Sequence, residues 1–437
     1  MKKKLVGLLL CAAMVGTTVL TGCGSSSDDS SASTEDTSST ESGDEASAEG
    51  GNQYDGVELT YWSMWTNAEP QGQVLQEAVD AFQEQTGAKV TIEWKGRDIK
   101  NILSSSLEAE ENIDLFEDDY NRIANNYKDY VADLTEMADA AGYADQSFAV
   151  FNDQATEWAG FLPCVTEQPQ VGGVFYNQDL FEKAGITETP ETWDEFLEAC
   201  KTLKDNDISP MALDSTYAPF FFGYHLARYI GQDETAKMAK EGGWSANEKV
   251  AQAADDMIEF VKAGYLADGA PDEYPASQNK MGLNQDVAMV VCANYVTSEV
   301  NNNTDTELNW GLFNYPSVEG GADSASAYAG ANSIAVTKYS ENQQAAFDLA
   351  TFITSGEYDQ KMADTAGQIP ADPSNTAPAS QNGTVEVLNN TTSPLTWNMG
   401  LNANADLLSQ IQEIVVKLYE GSYDTGADFA AALDALY

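Results

Sequence analysis

Val57-Glu58-Leu59-Thr60-Tyr61-Trp62, answered after a helical stretch by Lys89-Val90-Thr91-Ile92-Glu93-Trp94, decides the fold of this chain. Both segments are rich in β-branched and aromatic residues and have the length of strands. Between them Val74, Leu75, Ala78, Val79 and Phe82 recur at helical spacing, and Gly87 stands where a helix of that pattern ends. A second helical stretch leads to Ile113-Asp114-Leu115-Phe116, apolar and short. Strand, helix, strand, helix, strand predicts a parallel sheet with helices on its faces. Ligands of such sheets bind beyond the carboxyl ends of the strands. That rule selects Ser63 to Glu69 and Glu117 to Asn121.

Further along, Gly173-Val174-Phe175-Tyr176 opens a second α/β section. Thr192-Trp193-Asp194-Glu195 reads as a capping box starting a helix through about Asp205. Helical spacing predicts helices over Ala246 to Ala263, Glu341 to Thr354 behind a Ser340 cap, Asn404 to Glu420 and Thr425 to Leu436. Val287 to Val291 reads as a buried strand, and the Pro-, Asn- and Thr-rich stretch Pro370 to Pro394 as a loop or crossover. From Tyr54 on, the chain is too long for one typical core and long enough for two lobes.

Lys2, Lys3 and Lys4 precede an apolar run, Leu5 to Leu20, and then Leu20-Thr21-Gly22-Cys23. This is the layout of a secretory signal, too short and interrupted for a membrane span of about 20 apolar residues. Leu-Thr-Gly-Cys resembles the bacterial lipobox, which implies acylation of Cys23 and removal of residues 1–22. An ordinary signal peptide with a nearby cysteine is the alternative. Gly24 to about Gln53 is almost entirely Ser, Thr, Gly, Ala, Asp and Glu, with no Lys, Arg or aromatic residue before Tyr54. Such composition cannot offset its chain entropy by burial, so residues 23–53 read as a disordered linker, spanning roughly 30 Å.

The formal charge of −49 repels polyanions and argues against nucleic acid as a partner. Cys164, Cys200 and Cys292 are too widely spaced for a zinc site or a disulfide framework and read as small buried hydrophobes. His225, the single histidine, lies in Phe220-Phe221-Phe222-Gly223-Tyr224-His225-Leu226 and reads as a packed residue. A multi-histidine metal centre is thereby excluded, and no cofactor is expected.

Gly173 to Ile186, then Pro190 and Thr192 to Phe196, closely resembles the most recognisable stretch of extracellular solute-binding protein family 1. Ala288-Met289-Val290-Val291 resembles that family's second marker. Tyr328 to Pro370 is similar to its third, through Ser333-Ile334-Ala335-Val336, Phe352-Ile353-Thr354-Ser355 and Gly367-Gln368-Ile369-Pro370. The family comprises the sugar-binding lipoproteins and periplasmic proteins of ABC importers, usually monomers. The resemblance implies a two-lobed periplasmic-binding-protein fold of the α/β class, closing on ligand through hinge crossings. Lobe one would hold 54–165 and 332–372, and lobe two 172–328 and 380–437. Crossings would fall near 165–172, 329–332 and 372–379. A lipid-anchored protein on the extracytoplasmic face, passing a carbohydrate to permease subunits, is the implied function.

A sugar offers an apolar C–H face to aromatic rings and hydroxyl protons to carboxylates and amides. Trp65, Asn67 and Glu69 follow the first strand, where the strand-end rule and the resemblance agree. Asp118 or Asp119 follows the third strand and would accept hydroxyl protons. Trp62 stands closer to the strand and is open to either core or cleft. The resemblance adds Asp214 and Tyr217, after Met211-Ala212-Leu213, together with Tyr295 and Trp397; packing or a solvated loop is the alternative for each. Glu167-Gln168-Pro169-Gln170-Val171-Gly172-Gly173 departs from the family pattern, so Glu167 and Gln168 are held only as weaker candidates. Trp193 and Trp244 read as packing. Two other readings stay in view: the same family with a polyol or cationic solute, and a secreted glycosidase using paired carboxylates. A phosphoester is disfavoured because the expected cleft segments carry no Lys or Arg.

Overall fold

The structure, a computed structural model, describes residues 52–322 and 324–437; Cys23, the apolar leader and nearly all of the acidic linker lie outside them. The strands are β1 (Glu58–Ser63), β2 (Lys89–Trp94), β3 (Leu115–Asp119), β4 (Val165–Asn177), β5 (Ser209–Ala212), β6 (Val287–Ala293), β7 (Trp310–Phe313), β8 (Ala327–Val336) and β9 (Pro394–Leu395). β1 pairs in parallel with β2, Glu58 opposite Lys89, and with β3, Tyr61 opposite Leu115. The helix Pro70–Thr86 joins β1 to β2 and buries Val74, Leu75, Ala78, Val79 and Phe82. Proline opens it and Gly87 closes it at φ 78°, its N–H reaching Gln83 O. The first α/β section forms as its periodicity predicts.

The strand order is β2-β1-β3-β8-β4-β6-β5, with β7 beside β4 and β9 beside β8. β4 joins the two α/β halves. Its first half pairs antiparallel with β8, from Val165 opposite Ile334 to Val171 opposite Ala329. Its second half pairs with β6, Gly172 opposite Ala293, and with β7, Val174 opposite Phe313. The two crossings expected near 165–172 and 329–332 are thus stretches of one antiparallel strand pair. Partners change between Val171 and Gly172, and Gly173 follows directly. A Cβ there would lie 2.6 Å from Phe313 O, so the close approach of β4 and β7 requires glycine.

Local signals mark the helix at Trp193–Asp205. Thr192 Oγ1 accepts from Glu195 N (3.3 Å) and Glu195 Oε2 accepts from Thr192 N (3.0 Å), the reciprocal bonds of a capping box. Other boundaries move. The helix expected from Glu341 starts at Gln343, since Ser340 spends its hydroxyl on Asp114 and on Asn342 N instead of a helical cap. The one expected from Asn404 starts at Leu408, because Asn404 Oδ1 accepts from Asp406 N and Leu407 N in a turn. The stretch 370–394 is not all loop: it carries the helix Thr384–Asn390 and enters β9.

Two apolar clusters fill the interior. One packs Leu59, Tyr61, Leu75, Val79, Phe82, Leu115, Ile334 and Phe347 around the first sheet. A larger one takes in Trp62, Phe116, Trp193, Trp244 and the aromatic helix Ala218–Ile230. Trp62, Trp193 and Trp244 are all core. Cys164, Cys200 and Cys292 are buried free thiols. His225 is fully buried, with Nε2 2.8 Å from Asp256 Oδ2 and Nδ1 3.1 Å from the Tyr315 hydroxyl. Burial holds its imidazole below the ordinary value. Among the described residues no helix is long and apolar enough to cross a membrane.

Candidate functional site

The loop beyond β1 is tied down from both sides. Thr66 N and Oγ1 donate to Glu69 Oε2 (2.7 and 3.0 Å), and Arg97 donates to Glu69 Oε1 (2.8 Å) and to Met64 O. The Arg97 guanidinium lies 4.4 Å from the Trp65 ring centre. Trp65 itself is 4% exposed, its indole Nε1 donating to Glu167 Oε1 at 3.0 Å. Where an open platform was expected, Trp65 is a packed ring, while Asn67 is exposed and Glu69 half-buried. Glu69 also serves as N-cap of Pro70–Thr86.

Beyond β3 the two aspartates part company. Asp118, 3% exposed, is ion-paired to Arg122 four residues on. Asp119 caps the helix Tyr120–Asn126, accepting from Asn121 N (3.1 Å) and Arg122 N (3.2 Å). Burial raises its carboxyl above the usual range. It borders a cavity of about 420 Å³, whose wall also includes Asn121, Tyr328, Thr396, Trp397 and Asn402.

Trp397 stands among other rings: Phe220 at 4.5 Å, Tyr328 at 5.5 Å, Tyr217 at 6.2 Å and Tyr295 at 6.4 Å between centres. Tyr217 is 5% exposed and Tyr295 half-buried, so they back Trp397 rather than line the cavity. The backbone that presents Trp397 is strained. Asn398 (φ 56°) and Met399 (φ 47°) are consecutive left-handed residues, each costing on the order of 1–3 kcal/mol. Packing imposes them, for Met399 is fully buried and Asn398 O would lie 2.7 Å from a Cβ on Gly223.

Asp214 is not on the wall of this cavity. It is fully buried, and its two oxygens accept Ser277 N (2.8 Å) and Gln278 N (3.1 Å), closing a loop in the second section. Burial pushes its carboxyl up to about 6. Of the residues expected to meet ligand, the structure brings Asp119 and Trp397 to one cavity, with Tyr217 and Tyr295 behind. Tyr328, on the cavity wall, was missed; its hydroxyl donates to Gln170 Oε1 at 3.2 Å. Strand alternation places Gln170 on the same face of β4 as Gln168, which Asn332 and Gln368 engage.

A carboxylate from the end of β3 and a tryptophan from the last segment thus wall one cavity of this α/β chain. The sequence pattern of the family bacterial extracellular solute-binding protein matches residues 65–360, and the chain belongs to that family. The diacetylchitobiose binding protein DasA of Streptomyces coelicolor is 26% identical over 390 residues, covering 85% of this chain and 82% of that one. The multiple sugar-binding protein of Streptococcus mutans is 24% identical over 237 residues, about half of each chain (52% and 53%). Among solved structures, the bacterial solute receptor AcbH, described as having an exclusive preference for β-D-galactopyranose, superposes with a TM-score of 0.71 at 16% identity, over 88% of this chain and 98% of that one. A chitin oligosaccharide binding protein does so at 0.61 and 19%, over 87% and 98%.

Proposed function

We propose that this protein is a lipid-anchored, extracytoplasmic receptor that captures a carbohydrate, an oligosaccharide, and delivers it to the permease of an ABC importer. The observation that carries the reading is the pairing of Trp397 with Asp119 across one cavity. A ring can cover the C–H face of a pyranose while the carboxylate and the amides of Asn121 and Asn402 take its hydroxyls. The names of the two sequence relatives, both sugar-binding, support the same class. No Lys or Arg lines the cavity, which weighs against a phosphoester. Asp119 is the single carboxylate on its wall, whereas glycoside hydrolysis ordinarily takes two.

In this reading the lobes are 54–165 plus 332–372 and 172–328 plus 380–437, hinged at the β4–β8 pair and near 372–379. A thermal-shift screen of the purified protein against oligosaccharides, polyols and polyamines tests the ligand class. A sugar present at a hundred times its Kd should add about 2.7 kcal/mol of stability. A response to polyamines alone would move the assignment to a cationic solute. For the anchor, Cys23→Ser is expected to shift the protein from the membrane fraction to the soluble fraction of its host. Unchanged fractionation would remove lipid from the account.

A further inference from the structure

Glu167 occupies an unusual place. Along the β4–β8 ladder Thr166 faces Ser333 and Gln168 faces Asn332, so Glu167 is the extra residue of a β-bulge. Bulges re-aim side chains. This one sends a carboxylate, 3% exposed, under the loop beyond β1, where Oε1 accepts the Trp65 indole N–H and Oε2 meets no donor among the described residues. Glu117, fully buried midway along β3 and close enough to feel the charge of Glu167, accepts Tyr61 Oη (2.6 Å), Ser63 Oγ (3.0 Å) and Met64 N (2.6 Å). Two buried carboxyl groups therefore hold neighbouring residues of one loop, Ser63 to Trp65, one from β3 and one from the strand that crosses between the sheets.

We propose that Glu167 is a positioning residue for the loop 63–69 beyond β1, and that the Glu117–Glu167 pair makes this positioning dependent on a shared proton. It is independent of the choice of solute residues, since none of 63–69 lines the cavity at Asp119 and Trp397. A buried unpartnered Oε2 costs far less protonated than ionised. Groups that face the pair are Tyr61 from β1, Arg97 from the loop after β2 and Asp359 from the helix Gly356–Ala366. Arg97 is the one cation among them, and it is already bound to Glu69. Burial pushes Glu167 up to about 7 from 4.5, and burial with the charge of Glu167 drives Glu117 well above the carboxylate range. Between about 4.5 and about 7 the folded protein thus holds protons that the unfolded chain has released. Stability from the pair is greatest at the acidic end of that window and falls as pH rises through it.

The test needs no ligand, so it stands or falls apart from the choice of sugar. Hydrogen exchange of the Met64 to Thr66 amides is measured at pH 6 and pH 8, corrected for intrinsic rates, with β6 amides as an internal gauge of global folding. In the native sequence, loop protection should fall at least tenfold from pH 6 to pH 8 while β6 holds. Glu167→Gln keeps the acceptor without the charge and should hold the pH 6 protection at both values. Glu167→Ala should lose loop protection at both. Native-like pH dependence in Glu167→Gln would overturn the shared proton. Native-like protection in Glu167→Ala would overturn the positioning role. Should Glu167→Ala lose β6 protection as well, Trp65→Phe replaces it: it keeps a ring but not the indole N–H, and native-like loop protection there overturns the positioning role equally.

Discussion

Trp65→Ala should lower the unfolding free energy by about 3–5 kcal/mol, the range for removing a buried aromatic ring. The ring is 4% exposed, packed in the cluster of Tyr61, Leu75 and Leu115, with Arg97 over one face. Its loss also strands Glu167 Oε1, whose donor is the indole, and an orphaned buried acceptor adds about 1–3 kcal/mol if nothing relaxes. Against a total stability on the order of 5–15 kcal/mol this is a large fraction. Denaturant unfolding reads it as a lower midpoint at unchanged slope. Trp65→Phe should fall between, keeping most of the apolar contact and losing the hydrogen bond. A Trp65→Ala protein as stable as the native one would mean that the ring leaves its pocket in solution and faces the cleft after all.

What the sequence revealed and what it hid have physical reasons. The β1–β2 unit was legible because its signals are local: period-two strands, a helical stripe from Val74 to Phe82 and a terminal glycine. The capping box at Thr192 was legible on the same ground, since all its partners lie within four residues. β4 was not. Pro169 cannot donate to a ladder and argues against a central strand, yet it faces Ala331 inside one because that stretch of β4 pairs with β8 on one side only, β6 and β7 joining from Gly172 on. Nor does any local pattern announce the bulge at Glu167, which depends on register with β8. The aspartates show the same limit. Asp118, Asp119 and Asp214 have identical side chains, and only the tertiary structure says which one keeps a free oxygen for a solute. Asp118 is claimed by Arg122 and Asp214 by two backbone amides, leaving Asp119 at the cavity. Trp397 was named by the resemblance alone, and the strained turn that presents it, at Asn398 and Met399, breaks the rule that bulky residues avoid positive φ.

That strain sharpens the expectation for Trp397→Ala. Left-handed backbone at a buried methionine persists only where the surroundings enforce it, and such strain concentrates at ligand-binding positions. The ring is only half-buried, and its neighbours Phe220, Tyr217 and Tyr328 remain packed without it, so its removal should cost the fold much less than removal of Trp65. Covering a pyranose face should be worth on the order of 1–3 kcal/mol by analogy with apolar side-chain burial. Each 1.4 kcal/mol is a factor of ten, so Trp397→Ala should weaken sugar binding roughly tenfold to a hundredfold. Trp397→Phe should recover part of the loss, because a smaller ring still stacks. Calorimetric titration beside denaturant unfolding on the same samples separates the two roles. If Trp397→Ala binds the sugar as tightly as the native protein, the ring completes an aromatic core, and the solute must be held elsewhere along the Asp119 wall.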